Sequence, residues 1–289
     1  MTASSPDGGC RACRALRDGV RALLISVLDR ILARPGMATV NAALMTVALR
    51  GLGYNHCCEP KKTGEAKLVR LAASGQATFC IDIGANNGAY TLELLRQTNA
   101  HVLAFEPLPG AFRRLESIAS EHPGRVTAVN CGVADQSGEL QLRFDSDDSE
   151  LATFSDKVAA IPYVAAAQTR TTNVPVVSLD DYLFAADRVQ QIAHIDLLKI
   201  DVEGFEYQVL QGAQRTIREL RPRIVQIEYN WHQLFTGHSL YELAQMLSDY
   251  DAFQLLPFGS GLRPIDVSDP QSNVYSYANF AFIRRDLSA

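Results

Sequence analysis

The chain of 289 residues is 47% hydrophobic and 20% charged, which excludes a disordered polypeptide and allows a sizeable buried core. Its formal net charge of −5 argues against nucleic acid as a partner and against a general attraction to anionic lipid. Cys80 and Cys131 fall inside apolar runs, no signal peptide is predicted, and no apolar run reaches about 18 residues, so we expect a reducing, cytoplasmic location.

The first 60 residues are predicted to form a tail and a helical extension, ahead of one main domain at residues 61–289. Apolar residues recur at helical spacing from Arg17 to Leu32. Pro35 ends that helix, and a second helix is expected over residues 38–52. No motif in either helix indicates a function.

The start of this extension is basic, with six arginines and three aspartates in residues 1–35. A basic amphipathic helix can rest on a membrane surface. A lid or dimer helix packed on the main domain is the favoured interpretation, because the polar face also carries acids. A homodimer is therefore kept as an alternative to a monomer. Cys10, Cys13, Cys57 and Cys58 could supply zinc ligands, but adjacent thiolates share one tetrahedral ion poorly, so free thiols are favoured.

Beyond residue 60, short apolar runs alternate with helical segments, which predicts a mostly parallel sheet with helices on both faces. Strands are predicted at residues 79–83, 101–106, 125–130, 195–201 and 223–229. Residues 140–144 alternate as an edge strand does, and residues 145–175 are expected to form an irregular insertion over the site. The last two strands, at residues 253–258 and 279–285, have no helix between them, so we expect a C-terminal antiparallel hairpin.

The first strand leads into a glycine-containing loop, within the segment FCIDIGANNGAY. Ligands of open α/β sheets bind beyond the carboxyl ends of the strands, where Gly84 and Gly88 let the backbone approach a ligand. Glu106 ends the second strand 22 positions after Gly84, where an acid can accept both hydroxyls of a ribose. The glycine loop and Glu106 together predict a nucleoside-containing ligand.

The spacing of this loop is typical neither of a dinucleotide site nor of a phosphate loop. Its interior residues Ala85, Asn86 and Asn87 include no third glycine to crowd backbone donors around a pyrophosphate. Asp82 places an acid just before the loop, which suits a cationic ligand group. S-adenosylmethionine carries an ammonium and a sulfonium and no phosphate, so the charge pattern favours it as the cofactor.

Five segments resemble successive motifs of FkbM-type S-adenosylmethionine-dependent methyltransferases, between residues 76 and 285. They read FCIDIGANNGAYTLELL, AFEPLPGAFRRL, VNCGVADQSGEL, IDLLKIDVEGFEYQVLQGA and RPRIVQIEYN. The resemblance implies a class I, Rossmann-like α/β fold, with a seven-stranded, mostly parallel sheet whose last strand is reversed. It does not extend to residues 1–60.

Carried over by position, the resemblance also implies a set of cofactor-binding residues. They are Asp82, Gly84, Ala85, Asn86, Gly88, Glu106, Asn130, Cys131 and Asp201. The glycine loop with Asp82 would hold the methionine half and Glu106 the ribose, while Asn130 and Cys131 would border the adenine. The Lys-Ile-Asp-x-Glu-Gly motif of the family is intact from Lys199 to Gly204.

Methyl transfer from a sulfonium is an in-line displacement, so the enzyme mostly aligns the acceptor and excludes water. Asp201 ends the fourth strand and is the first candidate for a base that accepts the proton of an acceptor hydroxyl. Lys199 lies on the same strand face, where it either tunes the pKa of Asp201 or supports it as an ion pair. Glu228, at the end of the fifth strand, would complete an acidic pocket.

His232 follows the fifth strand and is a second candidate base, although a partly exposed structural histidine is the favoured interpretation. Asp201, Glu228 and Asn230 also match the oxygen ligands that catechol-type O-methyltransferases offer to Mg²⁺. Paired acids at strand ends also occur as plain polar pocket walls. Mg²⁺ is therefore not favoured, and no metal ligand is assigned.

The favoured function is O-methylation of a hydroxyl on a small molecule or glycan: a sugar, a glycolipid or a secondary metabolite. A NAD(P)-dependent oxidoreductase would need the third glycine and a Tyr-x-x-x-Lys pair, and neither is present. A non-catalytic S-adenosylmethionine-binding domain is opposed by the intact Asp82, Glu106 and Asp201. Nucleic-acid methylation is disfavoured by the net acidity and by the lack of an Asn/Asp-Pro-Pro-Tyr/Phe motif.

Overall fold

The computed structural model describes residues 25–26, 28–55, 63–147, 149, 151–185 and 192–287. The chain divides into two compact units, Met1–Arg50 and Gly51–Ala289. The predicted domain boundary at residue 60 stays a prediction. The predicted N-terminal tail and the residues Cys10, Cys13, Cys57 and Cys58 lie outside the described residues.

The first unit contains a helical segment and all but the last residue of a second helix. Residues 28–32 are helical, a 3₁₀ turn spans Pro35–Met37, and helix α1 follows at Ala38–Gly51. Pro35 opens the turn because its missing N–H and fixed φ suit a first helical position. No residue of α1 is buried. Among the described helices, none has the length and apolar character needed to cross a membrane.

The second unit is built on two sheets. Its strands are β1 (Phe79–Ile83), β2 (His101–Phe105), β3 (Val126–Val129), β4 (Gly132–Ala134), β5 (Gly138–Phe144), β6 (Arg170–Ser178), β7 (Leu197–Ile200), β8 (Ile224–Tyr229), β9 (Tyr250–Leu256), β10 (Gly261–Pro264) and β11 (Ala278–Arg284). The larger sheet has eight strands in the order β10-β9-β11-β8-β7-β1-β2-β3. The neighbours from β8 to β3 all pair in parallel. The predicted mostly parallel α/β fold is confirmed.

The carboxyl-terminal part of this sheet is antiparallel. β11 lies between β8 and β9 and pairs antiparallel with both, as the helix-free chain ending predicts. The sheet has one strand more than the expected seven, because β10 pairs antiparallel with β9 as an edge strand. Its sequence, GLRP, is bounded by a glycine and a proline and therefore has the composition of a turn.

Helices connect the strands and cover the sheet. In the second unit they are α2 (Glu65–Ser74), α3 (Ala89–Gln97), α4 (Pro109–Glu121), α5 (Asp156–Ala159), α6 (Pro162–Ala167), α7 (Leu179–Phe184), α8 (Glu206–Gln211), α9 (Gln214–Glu219), α10 (His232–Thr236) and α11 (Leu240–Gln245). Every residue of β7 and β8 is buried. Continuous burial of this kind is typical of parallel strands that are covered on both faces.

The segment predicted as an irregular insertion contains regular structure, so that expectation was wrong. α5 and α6 lie in it, and β6 pairs antiparallel with β5 and parallel with β4 in a separate three-stranded sheet. Val174 and Val176 of β6 are buried while Pro175 between them is exposed, the alternation of a half-buried strand. The polar first half of β6 hides this alternation in the sequence.

Cys80 and Cys131 are free, buried thiols, as their apolar sequence surroundings predict. Burial raises the pKa of Cys80 to about 12 and that of Cys131 to about 11. Both residues therefore pack as small apolar side chains and carry no thiolate chemistry.

Candidate active site

A cavity of about 930 Å³ opens beyond the carboxyl ends of β1, β2, β7 and β8. Its volume lies within the range of about 300–1,000 Å³ that small-molecule sites occupy. The predicted site residues on its wall are Gly84, Ala85, Asn86, Glu106, Lys199, Asp201, Glu228, Asn230 and His232. Residues from four strand ends therefore come together in one cavity.

The glycine loop is held between the ends of two neighbouring strands. Gly84 has a left-handed backbone, with a φ of 77°. A Cβ atom on it would lie 1.8 Å from the backbone oxygen of Asp201, so no side chain fits there. The N–H groups of Gly84 and Ala85 donate to the carbonyl oxygen of Phe105, at 3.1 and 2.9 Å. The loop backbone is thus fixed before any ligand arrives.

Glu106 is buried in the cavity wall, and both of its carboxylate oxygens accept backbone hydrogen bonds. The N–H of Asn86 donates to Oε2 and the N–H of Leu108 donates to Oε1, each at 2.7 Å. Burial raises the pKa of Glu106 to about 7, against the opposing effect of these two hydrogen bonds. Each oxygen keeps a further lone pair, so the carboxylate can still accept ligand hydroxyls.

Lys199 links two acids beneath the loop. Its Nζ lies 3.0 Å from Oδ2 of Asp201 and 3.5 Å from Oδ1 of Asp82. Burial opposes the charge of Lys199, but the carboxylates of Asp201, Asp82 and Glu65 raise its pKa above the ordinary value. Asp82 is fully buried behind the wall, where it accepts a hydrogen bond from Oγ1 of Thr91 at 2.7 Å. Lys199 is therefore a permanently charged ion-pair partner and cannot serve as a base.

Glu65 and Tyr90 also line the cavity, and sequence reasoning did not single them out. Glu65 accepts hydrogen bonds from Nε2 of Gln226 at 3.0 Å and from Oγ1 of Thr63 at 2.7 Å. The hydroxyl of Tyr90 donates to Oε1 of the same glutamine at 2.6 Å. Glu65 comes from α2, which precedes every recognised motif, so only the folded chain brings it to the site.

Three carboxylates meet at the ends of β7 and β8. Oxygens of Asp201, Glu203 and Glu228 lie within 4.8 Å of one another. Burial, together with the nearby carboxylates of Asp201 and Glu203, raises the pKa of Glu228 well above its ordinary range. A divalent cation that prefers carboxylate oxygens would find three ligands here. The third is Glu203, whereas Asn230, which the sequence analysis weighed as a ligand without assigning it, donates its Nδ2 to Oε1 of Glu228 at 2.7 Å.

A buried glutamate shapes the turn that presents these acids. Glu203 and Gly204 are both left-handed, with φ of 52° and 94°. Oε1 of Glu206 accepts the N–H groups of Val202 and Gly204, each at 3.1 Å. Its Oε2 accepts a hydrogen bond from Nε2 of Gln233 in α10 at 2.6 Å. Glu206 therefore ties the turn after β7 to the helix after β8.

His232 is only 2% exposed, so its interpretation as a partly exposed histidine was wrong. Its Nδ1 lies 3.1 Å from Oε2 of Glu203, and its backbone N–H donates to Oδ1 of Asn230 at 2.7 Å. Burial lowers the pKa of His232 to about 4. The imidazole is therefore neutral at physiological pH and can accept a proton.

Four predicted cofactor residues are not among the described residues that line the cavity: the buried Asp82, and Gly88, Asn130 and Cys131. Gly88 begins α3, where a Cβ atom would lie 2.5 Å from Cδ1 of Ile118, so its missing side chain serves packing. Asn130 donates its Nδ2 to the backbone oxygen of Glu106 at 2.8 Å. Cys131 is buried beside it. A contact of Asn130 or Cys131 with an adenine stays a prediction.

The charge of the cavity wall restricts the kinds of ligand that the cavity can bind. Among the described lining residues, six are acidic and two are Lys or Arg. The six acids are Glu65, Glu93, Glu106, Asp201, Glu203 and Glu228. An excess of carboxylates attracts cationic groups and donors, and it repels a diphosphate.

Comparison with known proteins gives an independent assignment. A family model described as the methyltransferase FkbM domain matches residues 82–252. The chain is similar to the 31-O-demethyl-FK506 methyltransferase FkbM of Streptomyces tacrolimicus, with 33% identity over 46% of this chain and 58% of that protein. It is also similar to the hexuronic acid methyltransferase AglP of Haloferax volcanii, with 25% identity over 57% of this chain and 62% of that protein.

Among solved structures, the methyltransferase FkbM of Methylobacillus flagellatus aligns with a TM-score of 0.43 and 18% identity. That alignment covers 72% of this chain and 44% of the other. The chain spans less than two thirds of the length of these relatives.

Proposed function

The chain belongs to the FkbM methyltransferase family, and we propose that it transfers the methyl group of S-adenosylmethionine to a hydroxyl of a sugar, a glycolipid or a secondary metabolite. The observation that carries this proposal is the layout of the cavity. The fixed glycine loop and Glu106 form one part of its wall, and the acids at the ends of β7 and β8 form another. A cofactor and an acceptor can therefore lie side by side in one space.

The residues present fit S-adenosylmethionine. The missing side chain of Gly84 lets the loop after β1 pack directly on the backbone of Asp201, and the loop lines the cavity. The carboxylate of Glu106 can accept the two ribose hydroxyls. Asp82 would act from behind the wall, through Lys199 and Thr91, and would not touch the cofactor directly. When bound, the cofactor supplies a methyl group on a cationic sulfur, which an acidic wall stabilises.

The acceptor would be aligned by the acids that follow β7 and β8. Asp201 is 27% exposed at its side chain, so it can both pair with Lys199 and reach into the cavity. We assign it the proton of the acceptor hydroxyl. Lys199 orients this carboxylate, and Glu228, whose raised pKa keeps it protonated, can donate a hydrogen bond to an acceptor oxygen.

The acids beside Glu228 also support an uncharged acceptor over an anionic one. A carboxylate or phosphate on the acceptor would lie near the carboxylates of Asp201 and Glu203, at a cost in binding. The names of two relatives refer to a hexuronic acid and to 31-O-demethyl-FK506. Both relatives are methyltransferases, and the hydroxyl acceptor is our proposal for this chain.

Calorimetric titration with S-adenosylhomocysteine tests the proposal. We expect the protein to bind S-adenosylhomocysteine and not NAD(H), and Glu106→Ala to weaken binding by at least about tenfold, since two hydrogen bonds are lost. The matched control is Glu116→Ala, which removes an exposed glutamate from α4. Binding of NAD(H) without binding of S-adenosylhomocysteine would contradict the proposal.

A further inference from the structure

Helix α1 presents an exposed line of apolar side chains. Val40, Leu44 and Val47 follow one another at positions i, i+4 and i+7, and they are 44%, 51% and 69% exposed. These three residues are called the apolar stripe of α1. Met45 beside it is 63% exposed. Exposed apolar surface that is continuous in this way marks a site of interaction.

Between Asp29 and Glu59, the charged residues around the apolar stripe have one sign. From Arg30 to Cys58 the sequence contains no aspartate and no glutamate, and its charged residues are three arginines. Arg30 and Arg34 precede α1, and Arg50 lies in its last turn. Arginine side chains can lay their stems along apolar surface and keep their guanidinium groups in a polar layer. The segment is therefore apolar in its middle and basic at both ends.

The length of α1 determines how it can meet a bilayer. Its 14 residues extend over about 21 Å, which is shorter than the hydrocarbon core of about 30 Å. The helix can therefore lie in the interface, with its axis parallel to the membrane plane.

We propose that α1 binds the surface of a bilayer that contains anionic phospholipid. The apolar stripe lies among the upper acyl chains, and the arginines pair with lipid phosphates. The formal net charge of −5 does not oppose this contact, because charges beyond about 8 Å are screened at physiological salt. The inference does not depend on the proposed methyl transfer.

A second copy of the chain suits this surface less well. Two α1 helices paired through their apolar stripes would bring arginine next to arginine, whether they run parallel or antiparallel. The segment from Arg30 to Cys58 offers no acid to compensate. Like charges across such an interface are destabilising, whereas an anionic lipid surface neutralises all of them.

Vesicle flotation of the full chain tests the proposal. The probes are vesicles of phosphatidylcholine alone and vesicles that also contain phosphatidylglycerol. We expect the anionic vesicles to bind at least about tenfold more protein, because each arginine near an anionic surface adds roughly a fivefold factor. Equal binding to both vesicles, or binding to neither, would overturn the proposal.

Two matched double variants separate the apolar stripe from charge. Leu44→Asp with Val47→Asp places two acids on the stripe, and Thr39→Asp with Thr46→Asp places two acids on another face of the same helix. We expect the first variant to lose flotation at least about tenfold and the second to lose less, since both add the same charge. Equal helical content by circular dichroism, together with unchanged binding of S-adenosylhomocysteine, reports that both variants keep α1 and the second unit folded.

Light scattering tests whether a second copy of the chain, and not a membrane, covers the apolar stripe. If the wild-type chain is a dimer that the stripe variant converts to a monomer, and neither protein floats with vesicles, then a second copy covers the stripe and the membrane proposal is wrong. Equal loss of flotation in both variants would show that added negative charge, and not the apolar stripe, determines membrane binding. This result would also overturn the proposal.

Discussion

Asp201 and His232 offer two proton acceptors in one cavity, and their surroundings differ. The Nζ of Lys199 lies 3.0 Å from the carboxylate of Asp201, whereas burial lowers the pKa of His232 to about 4. His232 is therefore neutral at physiological pH, the form that a base needs, whereas Asp201 is held in an ion pair with Lys199. Partial exposure to the cavity favours Asp201, because His232 is 2% exposed and lies 3.1 Å from Glu203.

Substitution of the two candidates is expected to separate their roles. Asp201→Asn should lower kcat by about 10²–10⁴-fold, the usual contribution of a general base, and should change S-adenosylhomocysteine affinity little. His232→Gln should lower kcat by less than about tenfold. The measurement is transfer of labelled methyl groups to acceptors in a cell extract. A larger loss for His232→Gln would assign the base to the histidine.

The pKa of Glu106, raised by burial to about 7, predicts a pH-dependent cofactor affinity. The carboxylate form accepts hydrogen bonds from the ligand, and protonation converts one acceptor to a donor. Affinity for S-adenosylhomocysteine should therefore fall as the pH is lowered through about 7 and level off above it. Titrations of the wild-type protein and of Glu106→Gln check this, since the variant should show no such transition. A wild-type affinity that is constant across this window would contradict the prediction.

The same raised pKa affects stability with the opposite sign. A buried acid whose folded-state pKa lies above its unfolded value contributes stability below the unfolded pKa and loses it as the pH rises through the folded pKa. Glu106 and Glu206, both at about 7, therefore favour the folded state more at mildly acidic pH than above about 7. Cofactor binding and folding thus respond to Glu106 in opposite directions.

At the scale of the elements, the loop after β1 and the turn after β7 depend on each other. Gly84→Ala would place a methyl group 1.8 Å from the backbone oxygen of Asp201 and would also strain a φ of 77°. Gly124 has a similar φ of 76°, but nothing lies within 4 Å of its missing Cβ atom. Replacing each of these two glycines by alanine therefore separates the cost of backbone strain from the cost of steric overlap.

We expect Gly124→Ala to lower the free energy of unfolding by about 1–2 kcal/mol, the cost of a left-handed non-glycine residue. Gly84→Ala should cost more than this and should abolish S-adenosylhomocysteine binding, because the two strand ends must move apart. Urea unfolding and calorimetry measure both effects. Equal destabilisation with intact binding in both variants would show that the contact with Asp201 is unimportant.

The sequence predicted the ordered elements better than it predicted the cavity wall. β1 matches its expected bounds, and the antiparallel β11 follows from the missing helix before it. The periodicity and composition of the nearby sequence are enough to predict these strands. Glu65 lies on the wall because α2 brings it there, and Glu203 joins the acid cluster because its backbone is left-handed. No local sequence pattern predicts either position, because each depends on how distant segments of the chain pack.

At the scale of the whole molecule, the described residues that line the cavity all belong to the second unit, from Thr63 onward. Residues just before them are also part of its fold. Tyr54 is 1% exposed, and a Cβ atom on Gly53 would lie 2.4 Å from the backbone oxygen of Leu255. The N–H of Asn55 donates to the carbonyl oxygen of Tyr277, a cavity residue, at 2.7 Å.

Two truncations therefore test where the catalytic domain begins. A chain that starts at Gly51 should bind S-adenosylhomocysteine like the full chain and should lose vesicle flotation. A chain that starts at residue 61 lacks the buried Tyr54 and should lose about 3–5 kcal/mol of unfolding free energy, the cost of deleting a large buried aromatic side chain. Equal stability of the two truncations would support the sequence-based boundary at residue 60.

The side of the wall that Phe154 and Trp231 form differs in kind from the floor beneath it. The ring of Trp231 lies with its centroid 5.2 Å from that of Tyr163, and it packs against the buried side chains of Val158 and Ile161. The floor is main chain, where Gly84 meets the backbone of Asp201. Side chains of the wall can therefore be exchanged to admit a new acceptor while the spacing between donor and base is kept. Experiments that aim to change which acceptors are methylated should mutate side chains of this wall and leave Gly84 and Asp201 unchanged.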